Sequence, residues 1–91
     1  MTIHLLISGK VQRVGYREFT RQKAIQFDLQ GWVRNREDGT VEALASGTES
    51  NIQNWIEQLK RGPALARVNS VDVLEPLAFS EKPTGGFEIR H

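Results

Sequence analysis

Two hydrophobic periods alternate along this chain, and their order leaves few ways to fold it. Ile3, Leu5 and Ile7 interleave with His4, Leu6 and Ser8, the two-residue repeat of a strand with one face on a core, and Gly9 closes the run. From Tyr16 to Phe27 the repeat changes. Tyr16, Phe19, Ala24 and Phe27 return at near-helical spacing, with Arg17, Glu18, Arg21, Gln22 and Gln26 on the other side. Leu29 to Asn35 reads as a second strand. Arg36-Glu37-Asp38-Gly39 joins it to a third, Thr40 to Ser46, where Val41, Ala43 and Ala45 alternate with Glu42, Leu44 and Ser46, and Asp-Gly at the joint predicts a hairpin. Ile52, Trp55, Ile56 and Leu59 restore the helical spacing after a cap at Thr48 or Ser50, and Ser50 with Gln53 has capping-box spacing. Gly62-Pro63 stops that helix. Val68 to Leu74 and Phe87 to Arg90 predict two further strands, and the turn-rich connection containing Pro76, Pro83, Gly85 and Gly86 is expected at the surface.

The resulting order, β-α-β-β-α-β with an extra terminal strand, is that of an α+β ferredoxin-like split β-α-β sandwich: an antiparallel sheet with two helices on one face. A right-handed crossover through the first helix makes strands one and two parallel, so their C-terminal ends share one edge of the sheet. The loop Lys10–Gly15 and the strand end Arg34–Arg36 are therefore expected to lie close together. With 91 residues, 38% hydrophobic and 25% charged, the chain has the size and composition of one domain, 1–91. Its formal charge of +1 sets up no field that would draw it to nucleic acid or an anionic membrane, so an anion site has to be local. The chain has no cysteine, and Met1 to Leu6 is too short an apolar run for a membrane span or signal segment, which makes the cytoplasm the expected compartment. Few apolar residues are expected to be exposed, so a monomer is expected.

Within this frame the loop after strand one has the makings of an anion cradle. It leads from a strand into a helix N-terminus, where unpaired backbone N–H groups and the positive end of the helix dipole converge. Gly9 and Gly15 allow the backbone to curl its amides inward. Arg17 falls in the first helical turn, where the dipole favours acids, and its planar fork suits a phosphate. Taken singly, Gly9 and Gly15 also read as an ordinary tight turn, Arg17 as a solvated side chain and Asn35 as a turn residue. Their meeting at one sheet edge favours a site, which Arg13, Arg17, Arg21, Arg34 and Arg36 are expected to ring. The two histidines, His4 and His91, give little material for a metal site or a Ser-His-Asp triad, and Ser8 has no base beside it. Trp32 and Trp55 occupy periodic positions and read as core or sheet cover.

The segment Gly9-Lys10-Val11-Gln12-x-Val14-x-Tyr16-Arg17 resembles the first signature of the acylphosphatases. Gly31-Trp32-Val33-Arg34-Asn35, followed by Gly39, Val41 and Gly47, is similar to the second. The resemblance implies an enzyme that hydrolyses small-molecule acyl phosphates without metal or cofactor. The phosphoryl group would be held by the backbone of Val11, Gln12, Arg13, Val14, Gly15, Tyr16 and Arg17 and by the Arg17 guanidinium, with Asn35 orienting the attacking water. Arg13 stands where the family usually has glycine, which implies either a left-handed backbone at a non-glycine residue or a redirected loop, and Asp28 occupies another place where the family often has glycine, with a left-handed helix end that Asp tolerates. Two other readings share the element order. RNA-recognition domains stack bases on outer-face aromatics, whereas strands one and three offer His4, Leu6 and Ser8 with Glu42, Leu44 and Ser46. A non-catalytic domain that binds acyl phosphate or carbamoyl phosphate remains the alternative, and the presence of both Arg17 and Asn35 favours turnover.

Overall fold

The two periods resolve into seven elements: β1 (Thr2–Lys10), α1 (Tyr16–Gln26), β2 (Gln30–Asn35), β3 (Val41–Ser46), α2 (Glu49–Arg61), β4 (Arg67–Val73) and β5 (Phe87–Arg90). The structure is a computed structural model that describes residues 1–74, 83 and 85–91. In the connection before β5, Gly85 and Gly86 are exposed as expected but Pro83 is buried, and Pro76 lies outside the described residues.

The strands form one sheet in the order β4-β1-β3-β2-β5. β3 pairs antiparallel with both β1 and β2, so β1 and β2 run the same way with β3 between them, as the crossover argument requires. The expectation of a wholly antiparallel sheet needs one correction, because β5 pairs with β2 in parallel and the five-stranded sheet is mixed. The reason is where β4 finishes. Its last residues face Leu5 and Leu6, and the Leu74 amide donates to the His4 carbonyl at 2.8 Å, at the end of the sheet where β1 and β2 begin. β5 starts beside Gly31, at that same end, so it runs with β2, and its C-terminus arrives where β2 ends.

Ile3, Leu5, Ile7, Val33, Val41, Ala43, Ala45 and Phe87 form the sheet's contribution to the core, and Tyr16, Ala24, Ile52, Trp55, Ile56 and Leu59 cover them from the helices. Each large side chain so buried contributes roughly 1.5–3 kcal/mol. Two hydrogen bonds fix one helix against the other: Tyr16 Oη donates to the Leu59 carbonyl at 2.7 Å and Trp55 Nε1 to the Thr20 carbonyl at 3.1 Å. Thr20, which the helical spacing assigns to no apolar position, is fully buried. Its hydroxyl is satisfied within α1 by the Tyr16 carbonyl at 2.8 Å.

Two local expectations also shift. Thr48, with an extended backbone, caps α2 by accepting from the Asn51 amide at 3.1 Å. Ser50 is already inside the helix, so the Ser50–Gln53 box does not form. The alternation in β3 places Glu42, Leu44 and Ser46 on the polar side, yet all three are buried.

Candidate active site

The site begins at an irregularity in β1. The β1–β4 register shifts between Ser8 and Gly9, and a Cβ on Gly9 would lie 2.1 Å from the Arg67 carbonyl oxygen. Only glycine lets the two backbones approach so closely before the chain leaves the sheet. Val11 is buried in the core and anchors the loop. Arg13 and Gly15 then both take left-handed backbones, φ 64° and 77°. Gly15 is the N-cap of α1 and supplies no side-chain cap, so no side chain caps the amides of the first helical turn, a ready place for an anion. Tyr16 also lines this space, with its ring buried and its phenol pKa pushed well up by that burial. Val14 packs against the core.

Asn35 closes the opposite wall. It pairs with Val41 and so falls on the helix-covered face at the C-terminal end of β2. Val11, Arg13, Gly15, Tyr16, Arg17 and Glu18 on one side, and Asn35, Ile89 and His91 on the other, line a cavity of about 220 Å³. That is room for a phosphoryl group and a few waters, each needing about 30 Å³. The Asn35 side-chain oxygen is buried without a hydrogen-bond partner, a costly state unless something at the site donates to it. An Arg17 guanidinium nitrogen donates to His91 Nδ1 at 3.3 Å.

The sequence places Arg17, Asn35 and the loop together, and the structure does too. The ring of basic residues is only partly formed. Arg13 and Arg17 face the cavity, whereas Arg34 and Arg36 line an adjoining concavity with Glu37 and Asp38. Arg21 lines neither and pairs with Glu18 at 2.7 Å. The Thr40 hydroxyl and amide hold the Asp38 carboxyl below the usual carboxylate range, with Arg36 adding to the effect. Gln12 turns its side chain away from the cavity to the Arg36 and Thr40 carbonyls. Glu18, Ile89 and His91 are lining residues that sequence reasoning misses. The Arg34↔Arg90 register of the parallel pair sets His91 beside Asn35, and periodicity does not reveal that pairing. Among the described residues no three His, Cys, Asp or Glu side chains are grouped to hold a metal ion, and no helix is long and apolar enough to cross a membrane.

The chain as a whole has relatives among known proteins. The acylphosphatase family model matches residues 3–89. An acylphosphatase of Syntrophotalea carbinolica is 42% identical over 88 residues, covering 97% of this chain and 94% of that protein. One from an Acidovorax species is 48% identical over 90 residues, covering 99% and 90%. The crystal structure of acylphosphatase from Bacillus subtilis superposes with a TM-score of 0.88 at 34% identity, covering 99% of this chain and 98% of that one. With matches that span nearly the whole chain and agree with the observed fold, the protein belongs to the acylphosphatase family and is a hydrolase of acyl phosphates.

Proposed function

We propose that the backbone of Val11–Arg17 and the Arg17 guanidinium hold the phosphoryl group, and that Asn35 holds the water that attacks it. The observation that carries this reading is that Asn35, whose side-chain oxygen is buried and unpartnered, lines the same cavity as Arg17. A water donating one O–H to that oxygen is held with a lone pair free for phosphorus. The new P–O bond forms as the bond from phosphorus to the acyl oxygen breaks, and the electron pair of the broken bond leaves on the carboxylate. The water's proton passes to a phosphoryl oxygen or to solvent. A carboxylate, with a usual pKa near about 4, leaves at neutral pH without a general acid. The protein's task is to align the reactants and meet the phosphoryl charge, through a two-pronged arginine contact and fixed amide dipoles. No metal or cofactor enters this scheme.

The same reading takes residues 1–91 as one domain acting as a cytoplasmic monomer on a small acyl phosphate, with no nucleic acid involved. Among the described residues the exposed large apolar side chains, Met1, Ile25, Leu65 and Val73, sit on different parts of the chain, which supports the monomer reading for that part of the surface. The Asn35→Ala variant tests the assignment. Its kcat should fall at least about 100-fold while inhibition by inorganic phosphate changes by less than about threefold. A variant that turns over at the wild-type rate would remove Asn35 from the mechanism.

A further inference from the structure

Gln12 belongs to the phosphate loop by sequence, but its side chain acts elsewhere. Its Nε2 donates to the Arg36 carbonyl at 2.8 Å and to the Thr40 carbonyl at 2.9 Å. These two carbonyls belong to the closure of the β2–β3 turn, where the Arg36 amide donates to the same Thr40 oxygen at 2.9 Å and the Gly39 amide to the Arg36 oxygen at 3.3 Å. Asn35 directly precedes Arg36, and its partner Val41 directly follows Thr40. Gln12 therefore grips the hairpin at the two residues adjacent to the Asn35 pair.

The sheet itself does not make this connection. The β1–β3 register ends at Ile7↔Val41, and from Ser8 onward β1 pairs only with β4. β2 is separated from β1 by β3 throughout. Among the described residues, the two bonds from Gln12 are the hydrogen bonds that join residues 11–15 to residues 35–40. The loop fixes where phosphorus sits and the hairpin fixes where Asn35 sits, so attack in line with the departing carboxylate depends on the distance between them.

We propose that Gln12 is a positioning residue: its side-chain amide sets the phosphate loop at a fixed distance from Asn35 and so aligns the attacking water. This rests on the reading of Asn35 given above. The amide suits the task because one nitrogen presents two donors to two carbonyl oxygens, whereas glutamate offers only acceptors and methionine no donor.

The test is a double-mutant cycle read with benzoyl phosphate as substrate and inorganic phosphate as inhibitor. Gln12→Met should lower kcat about 10- to 100-fold while KM and phosphate inhibition stay within about threefold, since the loop amides and Arg17 remain. Introduced into Asn35→Ala, the same change should cost less than about threefold, because little is left to align. An equal cost in both backgrounds overturns the proposal, as does a loss confined to KM or no loss at all. The two failures are separable: an Asn35→Ala variant with wild-type kcat removes the water-holding role, whereas additivity beside an impaired Asn35→Ala removes only the role of Gln12. Should Gln12→Met fail to fold, Gln12→Lys carries the comparison, since its ammonium can donate to both carbonyls. It should keep kcat within about tenfold of wild type, and Gln12→Glu should lose more than Gln12→Lys. A lysine variant that folds but is as inactive as the glutamate variant overturns the proposal.

Discussion

Arg13 carries two properties that act on different observables. Its backbone sits at φ 64°, where a residue with a side chain bears about 1–2 kcal/mol of strain. Its side chain is exposed and lines the cavity, so its charge lies in the path of an incoming anion. In Arg13→Gly the strain is relieved, but glycine's extra unfolded-state freedom costs about 0.5–1 kcal/mol, so thermal stability should move little. Removing the charge should raise KM for acyl phosphates a few-fold at low salt, with the gap narrowing as salt screens exposed charges. kcat should stay within a few-fold of wild type. Steady-state constants at two ionic strengths check this, and a collapse of kcat at both would give Arg13 a direct part in the reaction. Left-handed backbones at Arg13 and Asp28 were legible because both occupy places where the family favours glycine, and both are observed. His91 was not legible as a cavity residue. It meets Arg17 across 74 positions of sequence, and no local spacing encodes such a contact.

Helix and strand positions follow from period and punctuation, whereas strand direction and the choice between neighbouring caps do not. The spacing of Ile52, Trp55, Ile56 and Leu59 defines α2, and these are its buried residues, but Thr48 and Ser50 are both acceptable caps by type. Backbone conformation decides between them: Thr48 is extended at φ −71° and ψ 152° and accepts from Asn51, while Ser50 lies within Glu49–Arg61. Thr48→Ala should therefore lower stability by about 1 kcal/mol, within a range of about 0.5–2, whereas Ser50→Ala should stay within about 0.5 kcal/mol. Urea unfolding of the two variants distinguishes them, and a larger loss at Ser50 would reassign the cap. Neither change should alter kcat, because the cap lies next to Ser46 and Gly47 and far from the Arg17 end of the sheet. The direction of β5 was equally hidden in its short repeat. β5 starts at the end of the sheet where β4 finishes, and the direction this gives it brings Ile89 and His91 to the site.

A sheet with helices on one face usually leaves the other to solvent, but β3 is buried on both faces. On the face away from the helices, Trp32 lies at the edge of the His4 ring, with the Arg34 and Arg90 guanidinium groups against it at 5.7 and 4.8 Å. Glu42, only 6% exposed, accepts from Arg34 Nε at 2.7 Å and is joined to His4 Nε2. Strict alternation in the sequence suggests a wet face, since it records polarity and not coverage. The burial of a carboxylate among these partners has a consequence for the whole fold. Desolvation alone would raise the Glu42 pKa, but hydrogen bonds from Arg34 and His4, with their charges, outweigh it and hold the group below the usual glutamate value. A carboxyl depressed in the folded state stabilises fully above its unfolded pKa of about 4.3, and that stabilisation is lost as pH falls through the lower folded value. Glu42→Gln should therefore lower stability at pH 7 by about 1.5–3 kcal/mol, the scale of a hydrogen bond to a charged group. The difference from wild type should shrink below about pH 4, where the wild-type carboxyl is itself taking up a proton. Urea midpoints from pH 7 to pH 3 check both parts. A gap that stayed constant across that range would mean that the Glu42 charge adds nothing to the fold and that the loss comes from replacing an acceptor oxygen by an NH2 donor, since glutamine keeps the shape.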